Sequence, residues 1–434
     1  MIPLPEDSPF RKFYAESYDI NPDDYITLEY YLETDANPYE TAAHLCQEQS
    51  TAQYKRVDVD EDFRPLHAAK VLSVEPNTRQ ELFVDESNPG AEEATKAGWW
   101  VTILYPHRNF GPRIPNLMTA ICGEGAFHSP HVKTIKLMDI HFPGSFLTHF
   151  DGPRFGIQGI RDMLGVYDRP LTLGVIKPNI GLGSEPFSEL GYKAWLGGLD
   201  IAKDDELLCD TPANPYDTRS KLLGDYRLQA EKETGMKKIY LANITDEVDK
   251  MPELYDMALE HNVNAVMING MTTGLSIVRA LAKRGQLPLF SHFDFIAPFT
   301  QIRTFGVSLK VVNKLHRLAG YDCIIYQGLG DRMGTTKMDV LTAFQACVEP
   351  MGHLRPSLPV PGGSQWAGSY KTLYEMFGST DFGIVPGRAV FSHPMGPGAG
   401  AKALLQAWEA TEKNIPLEEY AKEREELRQA IAAH

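Results

Sequence analysis

From residue 171 onward, short apolar runs rich in β-branched residues alternate with stretches whose apolar positions follow a helical period. Short apolar runs bounded by turn residues predict buried strands, and the helical stretches predict amphipathic helices. The predicted strands are LTLGVIKPN (171–179), LDIAKDDE (199–206), KIYLANITD (238–246), NAVMINGM (264–271), LPLFSHFD (287–294), DCIIYQG (322–328), PSLPVPGG (356–363) and DFGIVPG (381–387). The predicted helices include stretches near 186–196, 248–261, 275–284, 308–319, 338–348 and 399–412.

Eight strand–helix units have the count and size of a (β/α)₈ TIM barrel. An open, doubly wound sheet is the alternative for alternating strands and helices. The even spacing of the units, and the lack of an early GxGxxG, favour the closed barrel.

The first 150 residues have a different pattern, in which strands predominate. ITLEYYLET, KRVDV, AAKVLSVEP, WWVTILYPH and TIKLMDIHF predict strands, and residues 37–49 and 114–122 predict helices. This mixture predicts an α+β domain of the split βαβ, ferredoxin-like type. We therefore divide the chain into an N-terminal α+β domain (1–150), a TIM-barrel catalytic domain (151–413) and a charged, solvated C-terminal helical tail (414–434).

Charge and composition narrow the classes of partner and the cell compartment. The formal net charge of −15 argues against nucleic acid, which requires a basic stripe. The chain contains no run of about 18 apolar residues, so no membrane span is predicted. The N-terminus lacks the pattern of a secretory signal. The five cysteines are widely spaced and form no CxxC, which is typical of a reducing compartment. We expect a cytoplasmic protein that binds neither nucleic acid nor membrane.

The candidate catalytic residues follow the C-terminal ends of the predicted barrel strands, because TIM barrels place their active sites at the C-terminal face of the barrel. The side chains at these ends are oxygen ligands and cations, with no Ser or Cys nucleophile paired to a base. This set predicts metal-assisted proton chemistry on an anionic substrate. The residues concerned are Lys177, Asn179, Lys203, Asp205, Glu206, Asn243, Thr245, Asp246, Asn269, His292, Asp294, Gln327, Gly362, Gly363, Gly387 and Arg388.

The segment GGLDIAKDDE places Lys203 directly before three acids at the end of an apolar run. Asp205 and Glu206 are the hard oxygen ligands that Mg²⁺ prefers, whereas an ammonium repels a metal. Addition of CO₂ to the neutral amine would give a carbamate and thus a third oxygen ligand. The simpler alternative is an ion pair of Lys203 with Asp204 or Asp205, and structural ion pairs are the commoner arrangement.

Glycine turns follow the last two predicted strands, PGG at 361–363 and PGR at 386–388. TIM barrels often hold a phosphate at this place by backbone amides, although a single glycine is more often an ordinary turn residue. His292 likewise is compatible with a hydrogen-bonded core histidine or with a catalyst.

Several segments resemble the large subunit of ribulose-1,5-bisphosphate carboxylase/oxygenase (RuBisCO). They are GVIKPNIGLG (174–183), WLGGLDIAKDDE (195–206), SHF (291–293), PGG (361–363) and FSHPMGPGAGAKALLQAWEA (391–410). The resemblance extends to CQEQSTAQYKRVDVDEDF (46–63) and so covers most of the chain. It implies the same order of domains as the periodicity does.

The resemblance also implies roles for individual residues. Lys203 would be the carbamylated lysine, with Asp205 and Glu206 as the other protein ligands of Mg²⁺. Lys177 would move the proton during enolisation, and Glu48 would reach the active site of a partner chain, so that the catalytic unit is a homodimer with its active site at the subunit interface. His292 corresponds to an active-site histidine, and Gly362, Gly363 and Gly387 to phosphate-binding turns.

The departures from RuBisCO indicate a different reaction. Asn179 replaces a lysine, Glu124 an asparagine that touches the substrate, and Arg388 a glycine of the phosphate turn. Asp294 and Phe295 replace a His-Arg pair; Tyr326 and Gln327 replace His-Ser, and Pro361 a serine. The loop at 328–334 offers Arg332 in place of the lysine that steadies the new carboxylate. The pattern resembles the non-carboxylating RuBisCO-like proteins of form IV, which predicts no CO₂ fixation.

STAQYKRVDVDEDF, NFGPRIPNL and VIKPNIGLG are similar to the form IV branch found in phototrophic sulfur bacteria. The resemblance implies Mg²⁺-dependent enolisation or isomerisation of a small phosphorylated sugar, a methylthio sugar among the candidates, linked to sulfur metabolism or oxidative stress response. Asn179, Glu124, Asp294, Arg332 and Arg388 would then shape the substrate site. A decarboxylase of an oxidised sugar phosphate and a non-catalytic role linked to sulfur or redox chemistry are the alternatives.

Overall fold

The computed structural model describes residues 4–15, 20–52, 58, 60–79, 82, 98–129, 131–330 and 332–434. Its backbone contacts divide the chain into two compact units. The first unit comprises Met1–Asp151, Ile296–Leu315 and Pro350–Leu354, and the second comprises Gly152–Phe295, His316–Glu349 and Arg355–His434. The strand predicted at KRVDV lies outside the described residues.

The strands of the described residues are numbered in chain order. They are β1 (Tyr25–Thr34), β2 (Lys70–Pro76), β3 (Trp99–Pro106), β4 (Val132–His141), β5 (Leu171–Val175), β6 (Ile201–Lys203), β7 (Ile239–Asn243), β8 (Ala265–Ile268), β9 (Leu289–Ser291), β10 (Gly306–Val307), β11 (Cys323–Gln327), β12 (Leu358–Gly362) and β13 (Gly383–Ile384).

The α-helices of the same residues are numbered in the same way. They are α1 (Pro38–Ser50), α2 (Arg64–His67), α3 (Ile114–Ile121), α4 (Glu124–Phe127), α5 (Gly144–Leu147), α6 (Gly156–Leu164), α7 (Ser184–Leu196), α8 (Tyr216–Thr234), α9 (Met251–Glu260), α10 (Gly270–Thr273), α11 (Leu275–Ala282), α12 (Ala297–Thr300), α13 (Leu309–Ala319), α14 (Lys337–Val348), α15 (Ser369–Phe377), α16 (Arg388–Phe391), α17 (Pro397–Glu412), α18 (Leu417–Tyr420) and α19 (Glu425–Ala432). None is long and apolar enough to cross a membrane.

The first unit contains a five-stranded sheet in the order β10-β4-β1-β3-β2. Strand β1 is central and antiparallel to both β3 and β4, so that Leu28 pairs with Ile103 on one side and Ile140 on the other. Helix α1 begins where the Asn37 side chain accepts hydrogen bonds from the next backbone amides and Pro38 takes the first helical position. The predicted α+β, ferredoxin-like architecture is confirmed.

The second unit is built on eight parallel strands in the order β12-β11-β9-β8-β7-β6-β5-β13. A parallel bridge between Gly362 and Val385 joins the two ends of this order, which makes a nearly closed barrel. The strands are buried on both faces, as expected of parallel strands covered by helices. Side chains such as Leu241, Met267 and Ile325 form the continuous apolar core. The TIM barrel, and not the open doubly wound sheet, is therefore correct.

The barrel strands are shorter than their apolar patterns predicted. Strand β6 spans only Ile201–Lys203, although the sequence predicted 199–206. The chain leaves the sheet at the acidic residues, which makes their side chains free to point in different directions.

The C-terminal segment is helical, but the prediction of a solvated tail is wrong for one of its faces. Leu427 of α19 is fully buried. The Gln406 amide on α17 donates to Glu426 at 2.9 Å and accepts from the Leu427 backbone amide at 3.1 Å. Helix α19 is therefore docked on the last long helix of the barrel unit.

Candidate active site

Lys203 is the last residue of β6, and its side chain is fully buried. Its ammonium donates to the Asp204 carbonyl at 2.8 Å and to Glu206 Oε2 at 2.9 Å. The sequence predicted an ion pair with Asp204 or Asp205 as the simpler alternative to a carbamate. An ion pair does form, but its partner is Glu206.

Lys177 follows β5, the neighbour of β6 in the barrel. Its ammonium lies 2.5 Å from Asp205 Oδ2 and 2.7 Å from Asn179 Oδ1. Asp205 is fully buried, and its other oxygen accepts from the Leu207 amide at 3.0 Å. Each of the two carboxylates proposed as metal ligands therefore faces one lysine ammonium.

His292 follows β9 and lies against the same carboxylate cluster, with its Nε2 3.2 Å from Glu206 Oε2. Its Nδ1 accepts a hydrogen bond from the Asp294 amide at 3.2 Å, and its ring stacks on Phe293. Burial, reinforced by the Lys203 charge, lowers the pKa of His292 to about 3. The imidazole is therefore neutral at physiological pH.

The two acids beside His292, Glu206 and Asp294, have pKa values shifted in opposite directions. Burial disfavours the charge of Glu206, but the Lys203 ammonium outweighs this and holds the pKa of Glu206 well below the usual range. Burial and the nearby Glu206 carboxylate raise the pKa of Asp294 to about 6. Groups with perturbed pKa values that converge in a cleft are typical of functional sites.

Asp204 does not take part in this cluster. Its carboxylate is fully buried and accepts from Arg219 Nε at 3.2 Å, Tyr240 Oη at 3.0 Å and the Asn243 amide at 3.1 Å. The Asn243 side chain donates to the carbonyls of Glu206 and Leu208, both at 3.2 Å. The first acid of the KDDE segment thus anchors the turn that presents the next two.

A cavity of about 700 Å³ opens at this end of the barrel. Of the predicted site residues it is lined by Lys177, Asn179, Glu206, His292, Asp294, Arg332, Gly363, Gly387 and Arg388. Lys203, Asp205 and Gly362 are buried and are not among its lining residues. Gly387 allows the approach of Lys177, because a Cβ there would lie 2.9 Å from Lys177 Cε.

Glu48 and Glu124 belong to the first unit. The side chain of Gln49 accepts from the Gly125 amide at 2.5 Å and donates to the Ala120 carbonyl at 3.0 Å. These bonds join α1 to α4 and α3 respectively, so that Glu48 and Glu124, both exposed, lie on adjoining helices. Their predicted part in substrate binding stays a prediction.

Sequence reasoning missed part of the cavity lining. Trp366, Leu404, Ala430 and Ala433 contribute to it, yet they lie on the segment after β12, on helix α17, and on or directly after helix α19. Their residue types carry no chemical signal in the sequence. Asp294 was noted there as a departure from RuBisCO, and the structure places it beside His292.

The donor set of this site fits a hard divalent cation. Among the described residues, Glu206, His292 and Asp294 offer ligand atoms within 4.8 Å of one another. Asp205 and Glu206 are carboxylates already neutralised by lysines. Conversion of Lys203 into a carbamate would turn the ammonium that faces Glu206 into an oxygen ligand next to that acid.

Residues 12–146 match the N-terminal domain, and residues 156–434 the catalytic domain, of the ribulose bisphosphate carboxylase large chain. The protein belongs to the RuBisCO large-chain family. The match covers both units and agrees with the barrel and its β6 segment. It confirms the resemblance inferred from GGLDIAKDDE and its companion motifs.

Similar family members include proteins named ribulose bisphosphate carboxylase-like protein. That of Allochromatium vinosum is 53% identical, over 98% of this chain and 93% of its own. That of Chlorobaculum tepidum is 50% identical, over 97% of both chains. These two relatives come from phototrophic sulfur bacteria, as the sequence predicted. The chain is thus placed with RuBisCO-like members of the family.

Solved structures agree with this placement. The octameric RuBisCO of Pyrococcus horikoshii superimposes with a TM-score of 0.88 at 30% identity, over 98% of this chain and 96% of that one. A RuBisCO-like protein of Alicyclobacillus acidocaldarius, MtnW, gives a TM-score of 0.81 at 25% identity, over 95% and 99% of the two chains. The RuBisCO of Hyperthermus butylicus, at a TM-score of 0.86 and 28% identity over 98% and 99%, is dimeric.

Proposed function

We propose that this RuBisCO-like protein catalyses the Mg²⁺-dependent enolisation or isomerisation of a small phosphorylated sugar and does not fix CO₂. The observation that carries the proposal is the convergence of Lys177, Lys203, Asp205 and Glu206 at the ends of β5 and β6. An enolising enzyme requires a proton carrier beside a carbonyl-polarising centre. Methylthio sugar phosphates are among the candidate substrates, with a physiological link to sulfur metabolism or oxidative stress.

Members of this family generally use Mg²⁺ with a carbamylated lysine. In this chain a Lys203 carbamate, Asp205 and Glu206 would hold the ion, which when bound polarises the substrate carbonyl. Lys177 is then the proton carrier, because its Nζ lies at the cavity wall and is oriented by Asn179 and Asp205. The neutral His292 directs its Nε2 at Glu206 Oε2, 3.2 Å away, and so orients that carboxylate, and its packing on Phe293 fixes the ring plane.

The cations and turns at the rim of the cavity suit a phosphate group. Arg332 and Arg388 line it together with Gly363 and Gly387, whose backbone approaches a ligand without a side chain in the way. The lysine that steadies the new carboxylate in RuBisCO has no counterpart in the loop at 328–334. Its loss, with Asp294 and Phe295 in place of a His-Arg pair, supports the absence of carboxylation.

The family resemblance also suggests how the chains associate. We propose a homodimer in which Glu48, and Glu124 beside it, complete the active site of the partner chain. Both carboxylates are exposed in the first unit. Measurement of the mass in solution, and of activity in mixtures of Glu48→Gln and Lys203→Ala chains, tests this: mixed dimers would regain activity at one site.

Deuterium exchange tests the reaction. The protein, with bicarbonate and Mg²⁺, would be incubated in D₂O with ketose mono- and bisphosphates, including methylthio sugars, and followed by NMR. We expect exchange at the carbon next to the carbonyl, its loss in Lys203→Ala, and its retention in Lys221→Ala, which removes an exposed lysine of α8. A ¹³C carbamate signal from labelled bicarbonate should disappear with Lys203.

Two other outcomes correspond to the alternatives. Release of CO₂ from an oxidised sugar phosphate, in the wild type and not in Lys203→Ala, would identify a decarboxylase that uses the same site. Absence of exchange across the panel, together with no Mg²⁺ binding, would contradict the enzymatic proposal and favour a non-catalytic role linked to sulfur or redox chemistry.

A further inference from the structure

The turn after β12 places a strained residue at the cavity. Gly363 has a φ of +86° and Ser364 a φ of +52°. Glycine adopts this left-handed region freely, whereas a serine is strained there because its Cβ crowds the backbone. Among the described residues that line the cavity, Ser364 is the non-glycine residue with a positive φ. Backbone strain of this kind persists where the surroundings fix it, and it is typical of functional sites.

The loop after β11 fixes the position of Ser364. The Gly362 carbonyl accepts a hydrogen bond from the Gly328 amide at 2.8 Å. A Cβ at Gly330 would lie 3.2 Å from Ser364 Cβ, so the loop packs directly against the serine. The Ser364 hydroxyl is exposed and makes no hydrogen bond to the described residues. These contacts therefore hold the backbone of the serine and leave its hydroxyl available.

Gln365, the next residue, has an acceptor without a partner. Its side chain lines the cavity and is 6% exposed. Nε2 donates to the Gly363 carbonyl at 3.0 Å and to the Leu329 carbonyl at 3.5 Å, which orients the amide. Oε1 is then buried, with no hydrogen-bond partner in the described part of the chain. Buried amide oxygens in native proteins are nearly always paired, so we expect a donor to reach Oε1 when the site is filled.

These two side chains discriminate between the chemical groups of a ligand. An ionised phosphate or carboxylate has only acceptor oxygens, so it cannot pair with an amide oxygen. A hydroxyl group can donate to Gln365 Oε1 and can accept from Ser364 Oγ. Arg332 and Arg388, which line the same cavity, suit the anionic part of a ligand. The 363–365 turn therefore fits a hydroxyl group of a ligand that also carries an anion.

We propose that Ser364 and Gln365 are specificity-determining residues that bind a hydroxyl group of the phosphorylated substrate. This inference rests on the proposed function for the phosphate group, and it adds the residues that recognise a second group of the substrate. An analogue without this hydroxyl would leave Gln365 Oε1 unpaired and should bind more weakly.

Two phosphates with the same number of carbons test the inference without turnover. Glycerol 3-phosphate carries hydroxyl groups, and n-propyl phosphate carries none. Titration calorimetry with Mg²⁺ and bicarbonate present would give the Kd of each. We expect the wild type to bind glycerol 3-phosphate about tenfold more tightly, which corresponds to about 1.4 kcal/mol and lies in the range for an unpaired buried acceptor.

Two variants remove the polar atoms and keep side chains of similar size. Ser364→Ala and Gln365→Met should each bring the Kd of glycerol 3-phosphate towards that of n-propyl phosphate. The Kd of n-propyl phosphate should not change, because this compound makes no hydrogen bond to either side chain. Gln158→Met, which alters an exposed glutamine of α6, is the matched control and should retain the preference.

Ser364→Gly separates recognition from stability. Glycine relieves the left-handed strain, so the urea midpoint should rise while the preference for glycerol 3-phosphate falls. A serine with a merely structural role would not produce this opposition. Asn262→Gly is the control for the backbone effect, because Asn262 is exposed, has a φ of +60° and is not among the residues that line the cavity. It should leave the preference unchanged.

Equal Kd values for the two phosphates in the wild type, or a preference that both Ser364→Ala and Gln365→Met retain, would overturn the inference. The outcome is separable from that of the proposed function. Deuterium exchange of ketose phosphates without a preference for glycerol 3-phosphate would support enolisation and refute hydroxyl recognition by this turn. A preference that depends on Ser364 and Gln365, without any exchange, would support the recognition and refute enolisation.

Discussion

Substitution of Tyr240 by Phe tests the buried network that anchors the KDDE turn. Tyr240 and Asp204 are both fully buried, and the hydroxyl lies 3.0 and 3.1 Å from the two carboxylate oxygens. Arg219 and the Asn243 amide are the other donors to Asp204. Burial raises the pKa of Asp204, whereas Arg219 and the hydrogen bonds favour its charged form. Phenylalanine retains the ring and removes one donor.

The magnitude follows from the charge of the acceptor. A hydrogen bond to a charged group contributes about 1.5–3 kcal/mol, compared with about 1 kcal/mol for a neutral pair. Loss of the whole ion pair would cost about 3–5 kcal/mol, but Arg219 and the Asn243 amide remain as donors. We therefore expect Tyr240→Phe to lower the free energy of unfolding by about 2 kcal/mol.

Urea unfolding at neutral pH, followed by circular dichroism, measures this change as a lower midpoint at an unchanged m-value. Tyr226→Phe is the matched control, because its hydroxyl donates to Glu185 at 2.8 Å on the exposed surface. Exposed interactions of this kind contribute about 0.2–1 kcal/mol. A loss in Tyr240→Phe no greater than that in Tyr226→Phe would refute the assignment of a buried, charged Asp204.

Three further predictions address the site and its surroundings. Gly387→Ala should lower the deuterium-exchange rate about a hundredfold, because the added Cβ would displace Lys177. Gly183→Ala is the control, since its Cβ would lie 3.6 Å from its nearest neighbour, and it should leave the rate unchanged. Equal exchange rates in the two variants would contradict the proposed contact between Gly387 and Lys177. His316 has a pKa lowered to about 3 by burial, so the folded state keeps it neutral while the unfolded state protonates below pH 6.5. From pH 8 to pH 5, urea unfolding of the wild type should therefore lose about 2 kcal/mol more than that of His316→Phe; parallel losses would disprove this. Gln406→Leu should remove the amide hydrogen-exchange protection of α19 while the barrel strands keep theirs; unchanged protection would show that Gln406 does not hold the helix.

All eight barrel strands could be predicted from the sequence, because parallel strands buried on both faces leave uninterrupted apolar runs such as CIIYQ (Cys323–Gln327). The residues at the ends of these strands then followed from the geometry of the barrel. The family could also be predicted from the sequence, since GGLDIAKDDE is a specific motif. The C-terminal helix was predicted, but its docking was not, because a charged helix carries little sign of the one buried leucine, Leu427.

The sequence alone therefore determined the barrel, the order of its units and the residue types available for chemistry, since these depend on local periodicity and on motifs of adjacent residues. Tertiary structure decided which way each acid of the KDDE segment points. Beyond the end of β6, alternation no longer applies, and Arg219 and Tyr240, distant in sequence, draw Asp204 away from Asp205 and Glu206. It also decided the shape of the cavity. Residues near 366, 404 and 433 form one wall only because folding brings three separate segments together, and no local pattern encodes that proximity.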